Sequence, residues 1–403
     1  MKVLWVKAGG LVPLDTGGKI LSYHVARELA RRHDVTLLTF YAAQPHDAHP
    51  ELAGLFSRVV YLPLKLPAPK SLAEGALYAR RLFSAQPYGI AKYCQPQVGR
   101  LLRRLLQADV YEVIVCDGVV AAGVIPWELP TPKVLLAHNV EAQIWSRHRL
   151  VSRNPLWSLV CRRESLALRR AERFYLAQAQ RVLTVSEADR DFFASFVDPG
   201  KISVMPTGVD VDYFRPSPGE EKAGALVFTG SMDWLPNEDA VFYFAEQILP
   251  HIRRAMPDVT LWVVGRRPSR RLQGLALRDG SVRLTGQVED VRPYVRSASV
   301  YVVPLRVGSG SRLKIFEAMA MGKAVVSTTI GAEGLRVKHG KDIILADDPE
   351  EFAASVLKLL NNSAARAEVG QAARQLVERQ YGWASSAACF DAALRAAAIT
   401  PAA

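Results

Sequence analysis

The stretch Val302–Thr328, VVPLRVGSGSRLKIFEAMAMGKAVVST, decides how the chain is read. It belongs to a continuous apolar strand, Val300–Pro304, then passes a glycine turn at Gly308 and Gly310 into a helix bearing Arg312, Lys314 and Glu317. A Met-Gly-Lys turn leads into a second apolar strand, Ala324–Thr328. A strand that feeds a glycine turn and a helix presents backbone N–H groups and the positive helix end to an anion. Cations in the first turns strengthen that attraction, and a carboxylate further along can accept hydrogen bonds from sugar hydroxyls. Such groups suit a nucleotide diphosphate joined to a sugar.

The same rhythm runs the length of the chain. Short apolar runs at Val3–Lys7, Val35–Phe40, Val59–Leu64, Val113–Cys116, Val134–His138, Val182–Ser186 and Ile202–Met205 alternate with helical stretches. After a polar, proline-containing break at Arg215–Ala223 the pattern restarts. The later runs are Leu226–Thr229, Thr260–Val264, Val282–Thr285, Val300–Pro304, Ala324–Thr328 and Ile343–Ala346. Continuous apolar strands separated by helices predict parallel sheets covered on both faces. The expected fold is α/β: two doubly wound Rossmann-like domains facing across a cleft, with ligands beyond the carboxyl ends of the strands. The expected bounds are 1–215 and 216–380, with a C-terminal helix in 381–403 packing back across the domains.

At 403 residues and 49% hydrophobic content the chain can bury two cores. Cys94, Cys116, Cys161 and Cys389 lack metal-ligand spacing, which fits a reducing compartment. Met1–Val6 is too short for a signal-peptide core, and no apolar run approaches the roughly 20 residues of a spanning helix. A cytoplasmic location is expected. The charge of +12 is uneven: residues 1–215 hold 28 Lys+Arg against 19 Asp+Glu. Leu77–Leu106 carries six basic residues and no acid, and Arg147–Arg181 carries nine arginines against only Glu164 and Glu172. Trp157, Cys161, Leu168 and Tyr175 recur there near helical spacing. Two readings stay open. This is either a basic helix resting on an anionic membrane, peripheral on the inner face of the plasma membrane, or a solvated helix whose stripe packs into the core. No aromatic-basic interleaving marks a nucleic-acid module, so no nucleic-acid partner is expected.

Several positions carry chemistry. Gly17 and Gly18, between the first strand and the helix Ile20–Arg32, let backbone approach a ligand closely. His138 ends a buried strand, where it can hydrogen-bond a sugar hydroxyl or shuttle a proton, or else simply cap the next helix. His33 and His148 lie in polar helical contexts and are expected at the surface. Thr229-Gly230-Ser231 starts a second phosphate-facing loop, and Val288 follows a turn where backbone groups can meet a base edge. Lys314 and Glu317 form a helix pair behind the glycine turn.

Taken together, Gly17-Gly18, HNVE at His138, VSEAD at Ser186, PTGVDVDYF at Pro206–Phe214 and the GSGSRLKIFEAMAMGKAVVST block resemble retaining glycosyltransferases of family 4, of GT-B architecture. Within that family the likeness is to bacterial sugar transferases associated with exopolysaccharide gene clusters. The resemblance implies that Glu317 is the second glutamate of the family's E-x7-E motif, on the nucleotide ribose. The first glutamate, which grips the donor sugar, is here Ser309, with Gly310 and neighbouring backbone taking part of its role. The family's diphosphate-binding arginine and lysine correspond to Ser231 and Asn237, so that clamp is expected to be absent, with Arg312 and Lys314 as replacements. His138 matches the active-site histidine. The first domain would hold the acceptor and the second the nucleotide sugar.

The implied activity is transfer of a sugar from a UDP- or GDP-linked donor to a glycan or lipid-linked acceptor, with retention at the anomeric carbon. No cofactor or metal is expected beyond that co-substrate. Two rival readings remain. One is a nucleotide-sugar epimerase or hydrolase of the same architecture, and the other a non-catalytic basic binding protein.

Overall fold

The computed structural model describes residues 1–42, 52, 54–68, 71–82, 84–152, 154–205, 207–217, 219, 221–307 and 313–399. Each apolar run of the sequence is a strand. In the first sheet these are β1 (Lys2–Ala8), β2 (Asp34–Ala42), β3 (Arg58–Leu64), β4 (Val113–Asp117), β5 (Lys133–Ala137), β6 (Arg181–Thr184) and β7 (Ile202–Val204). They pair in the order β3-β2-β1-β4-β5-β6-β7, all parallel. The register sets Trp5 between Leu37 and Val115. Helices cover both faces of the central strands, which explains why β1 and β4 read as near-continuous hydrophobic runs rather than alternating ones.

The second sheet repeats the plan with β8 (Ala225–Thr229), β9 (Thr260–Val264), β10 (Val282–Gly286), β11 (Val300–Val303), β12 (Val325–Ser327) and β13 (Ile344–Leu345). Their order is β10-β9-β8-β11-β12-β13, again all parallel. Both sheets are doubly wound and Rossmann-like. In each, the first strand lies beside the fourth, so strand order reverses between β1 and β4 and between β8 and β11. A crevice opens at such a reversal, beyond the carboxyl ends.

The chain divides into two compact units, Met1–Pro206 with Ser386–Ala403, and Thr207–Ser385. The first therefore ends ahead of the polar break at Arg215. Backbone bonding gives the reason: Val209 N donates to Tyr381 O at 2.8 Å, and Arg374 Nη1 donates to Val211 O and Phe214 O at 3.0 and 2.8 Å. From Ser386 onward the helix Trp383–Ile399 packs on the first unit, where Phe390 stacks on Trp5 with centroids 5.1 Å apart. That helix also buries His33, whose Nε2 lies 2.7 Å from Asp391 Oδ1. His148 is buried too. Neither is a surface residue; for His33 the cover comes from an element distant in sequence.

The second unit is tied at its helix ends by cations. Lys323 Nζ donates to Arg296 O and Ala298 O at 2.7 and 2.9 Å, and Arg366 Nη1 to Leu359 O at 2.7 Å. Each satisfies carbonyls that a helix end leaves over. A cavity of about 670 Å³ beside them is also lined by Glu221, which pairs with both Lys323 and Arg366.

Candidate functional site

In the first unit the crevice between β1 and β4 is organised by Asp117, the last residue of β4. Its side chain is wholly buried, and four groups converge on it. Trp5 Nε1 donates to Oδ2 at 2.7 Å. His138 Nε2 lies 2.5 Å and Lys7 Nζ 3.0 Å from Oδ1. Ser22 Oγ sits 3.0 Å from the same oxygen, accepts from Lys7 Nζ at 2.9 Å and lies 2.8 Å from Gly18 O. Burial alone would raise the Asp117 carboxyl, but Lys7 and His138 outweigh it and hold the group far below the usual carboxylate range. Asp117 is thus ionised, and His138 Nε2 must carry the proton it donates.

That leaves Nδ1 of His138 as the ring nitrogen not bonded to Asp117. It is buried and has no hydrogen-bond partner among the described residues. The ring fits because two neighbours lack side chains. A Cβ on Gly18 would stand 3.7 Å from Nδ1, and one on Gly118, at φ +85°, 3.4 Å from Cδ2. The helix Gly17–Ala30 begins at the same place, with Thr16 Oγ1 accepting from Lys19 N at 3.4 Å. His138 is therefore a ring fixed beside a close backbone, rather than a helix cap: the next helix, Glu141–Val151, has Val140 at its cap with no side-chain bond. Asn139 Nδ2 donates to Glu141 Oε1 at 3.1 Å, and Glu172 Oε1 accepts from Ala142 N at 3.2 Å, which pins the turn that follows.

In the second unit the crevice between β8 and β11 holds a different set. Gly230 follows β8, and a Cβ there would fall 2.6 Å from Asn237 Nδ2 and 2.8 Å from Lys314 Nζ. Gly265, after β9, is tighter still: its Cβ would lie 1.7 Å from Gly230 O. Lys314 Nζ donates to Asn237 Oδ1 at 2.6 Å, and Asn237 Nδ2 donates to Ser231 O at 2.9 Å. Arg266 Nε donates to Ser231 Oγ at 2.7 Å. So Ser231 and Asn237, which carry no charge, each have a cation drawn onto them from another element. Those cations come from the loop after β9 and from the helix Leu313–Ala320, and Lys314 is one of the two replacements expected from the sequence.

Asp233 lies beside this group. Burial pushes its carboxyl up, but the Ser231 hydroxyl, Arg266 and Arg267 more than offset that and keep it below its ordinary range. Glu317, one turn beyond Lys314, is pushed up to about 7, chiefly by burial, with Lys314 opposing. Near it Thr229 Oγ1 and Tyr301 OH are 2.5 Å apart.

The structure thus gathers Gly18 with His138, and Gly230 and Ser231 with Lys314. Gly17 opens the first helix. Val288 is partly buried against the second core. Ser309, Gly310 and Arg312 lie outside the described residues. Sequence reading missed Trp5, Lys7, Ser22, Asp117 and Arg266. The signal for two of them was a charge inside an apolar run: Lys7 within β1 and Asp117 closing Val113–Cys116. Among the described residues no three His, Cys, Asp or Glu side chains come together as a metal site requires.

The family model "Glycosyltransferase Family 4" matches residues 16–213, and "Glycosyl transferases group 1" matches 223–362. Phosphatidyl-myo-inositol mannosyltransferase of Mycobacterium tuberculosis (strain ATCC 25618 / H37Rv) is 33% identical over 192 residues, covering 44% of this chain and 50% of that protein. The chain thus spans half the length of that relative. Sucrose-phosphate synthase from Thermosynechococcus elongatus is similar in fold, with TM-score 0.74, 16% identity and 98% of each chain covered. HepE of Anabaena, solved in complex with UDP and glucose, has TM-score 0.71 and 16% identity, covering 98% of this chain and 99% of its own. Those two structures bear on the fold alone, and they match it from end to end. The two family matches run from residue 16 to residue 362 apart from 214–222, and the chain carries a glycosyltransferase family 4 domain followed by a group 1 glycosyl transferase domain.

Proposed function

We propose that the chain transfers a sugar from a nucleoside-diphosphate donor to a glycan or lipid-linked acceptor, with retention of anomeric configuration. The observation that carries this reading is the cradle between β8 and β11, where Lys314 and Arg266 sit on Asn237 and Ser231 around Gly230. Two cations beside a backbone stripped of Cβ atoms suit a diphosphate. A UDP- or GDP-linked donor fits; HepE, similar in fold, was solved with UDP. The likeness to exopolysaccharide-associated transferases supports a growing polysaccharide as acceptor.

In this mechanism the bond from the anomeric carbon to the phosphate oxygen breaks, and its electron pair leaves with the nucleoside diphosphate. Lys314, Arg266 and the Gly230 backbone hold the charge that develops there. The acceptor oxygen bonds to the anomeric carbon on the same face, and its proton passes to the departing phosphate oxygen. His138 Nδ1 accepts a hydrogen bond from a hydroxyl of the reacting sugars. The test is a calorimetric panel of UDP, GDP, ADP, TDP and CMP against the protein, followed by product analysis by NMR. One diphosphate should bind best and the product should keep the donor's anomeric configuration. Binding by none, or hydrolysis regardless of acceptor, overturns the proposal.

Two variants sharpen the assignment. Arg266→Ala should weaken the preferred diphosphate by about 10–100-fold, as loss of a charged hydrogen bond does, while the bare nucleoside binds as before. Equal loss of both ligands would make Arg266 a general structural residue. Glu317→Gln should cost about tenfold or more at pH 8, because an ionised carboxylate accepts ribose hydroxyls better than an amide. The pH dependence has a definite sign. With the Glu317 carboxyl pushed up to about 7, binding below that pH must first remove a proton. Wild-type affinity should therefore fall as pH drops from 8 to 6, and the Glu317→Gln profile should be flat across that range.

A further inference from the structure

The side of helix Pro155–Gln178 that core packing leaves outside is itself apolar. Three of the four residues of the stripe marked in the sequence turn inward: Cys161 and Leu168 are buried, and Tyr175 packs on Trp127, whereas Trp157 in the first turn is exposed. A different set faces out, with Leu156, Leu159, Leu166 and Phe174 at 76%, 62%, 50% and 56% exposure. A helix facing water ordinarily carries polar groups at such positions. Of the 14 large exposed hydrophobic side chains among the described residues, six lie between positions 150 and 174. The concentration is therefore local and not a general feature of the surface.

The charges on this face are all of one sign. At 3.6 residues per turn, Arg162, Arg169, Arg170 and Arg173 fall with those four apolar residues within roughly 140° of arc. All four arginines are exposed. The only two carboxylates of the helix point the other way: Glu164 and Glu172 are 1% and 0% exposed. Tyr88 N donates to Glu164 at 3.0 Å, which holds it inside. Among the described residues no carboxylate pairs with Arg162, Arg169 or Arg170, and Arg173 lies over the Phe196 ring at 5.5 Å.

We infer that this face docks flat on an anionic lipid bilayer. The leucines and Phe174 enter the headgroup boundary, and the arginines meet lipid phosphates. From Leu156 to Phe174 the face is about 27 Å long, within a helix of 24 residues. No helix among the described residues is long and apolar enough to cross a membrane, so the contact is surface docking rather than insertion. A second copy of the chain would set arginine against arginine across a two-fold axis. A nucleic acid would leave the leucines without a partner. The docking goes beyond the transfer reaction and does not depend on it.

The test is flotation of the full chain with vesicles of equal parts phosphatidylglycerol and phosphatidylcholine, with pure phosphatidylcholine as control. The protein should float with the anionic vesicles and not with the neutral ones. Leu159→Ser with Leu166→Ser, and separately Arg169→Gln with Arg170→Gln, should each cut binding on the order of tenfold. The first pair should leave the added-salt sensitivity in place, and the second should reduce it. Both variants change exposed positions, and unaltered circular dichroism will confirm that they fold. Flotation of either variant at wild-type levels overturns the inference. So does a wild-type protein that stays off anionic vesicles and instead dimerises with rising concentration.

Discussion

His138→Ala should lower sugar transfer by about 10²–10⁴-fold while nucleoside-diphosphate affinity stays near the wild-type value. The two readouts separate because the histidine and the anion cradle belong to different sheets. Asp117 holds Nε2, which leaves Nδ1 toward Gly18, where the proposed mechanism has it accept from a sugar hydroxyl. Alanine removes that acceptor but leaves Asp117 with Trp5, Lys7 and Ser22, so the crevice keeps its shape. Transfer measured with a labelled donor, beside calorimetry on the same preparation, decides the point. Full turnover in the variant would reduce His138 to a packing residue.

Glu172→Gln should flatten the dependence of stability on pH. Burial pushes the Glu172 carboxyl up to about 8, helped by the nearby Glu141 and Asp189 carboxylates and opposed by the N–H of Ala142. In the unfolded chain the same group titrates near about 4.3. Between those values the folded protein binds one proton more than the unfolded chain, so stability falls as pH rises through the window. The loss for the wild type is on the order of 4 kcal/mol from pH 5 to pH 8. A glutamine keeps the acceptor for Ala142 N and carries no charge, so its denaturant midpoint should fall less steeply than the wild type's from pH 6 to 8.5, the remaining slope coming from Glu317. A wild-type midpoint that rises over that range would overturn the assignment.

The strand pattern was legible because both sheets are covered on two faces, and such strands announce themselves as unbroken apolar runs. All thirteen runs became strands, with ends displaced by a residue or two. His138, Gly18, Gly230, Ser231 and Lys314 were also legible, since strand ends and glycine turns are local signals. The partners were harder. Asp117 is 21 residues from His138 and 112 from Trp5, and nothing local joins them; only the order β1-β4-β5 does. Arg266 was missed for the same reason, because it acts across β8 and β9. The stripe of Trp157, Cys161, Leu168 and Tyr175 was read correctly as helical. Periodicity alone did not say which side of the helix faced the core, nor that the opposite side was apolar as well.

The path of the chain also bears on how the protein is made. The first unit starts at Met1 and is closed by the helix that follows Ser385, with Phe390 on Trp5 and Asp391 on His33. Trp5 also donates to Asp117, the anchor of His138. On a ribosome, residues 207–385 must all be synthesised before that closing helix emerges. At roughly 5–20 residues per second the delay is about 10–40 s. For that time the sheet holding Asp117 and His138 waits with Trp5 uncovered. The unit begun first is the last to be completed.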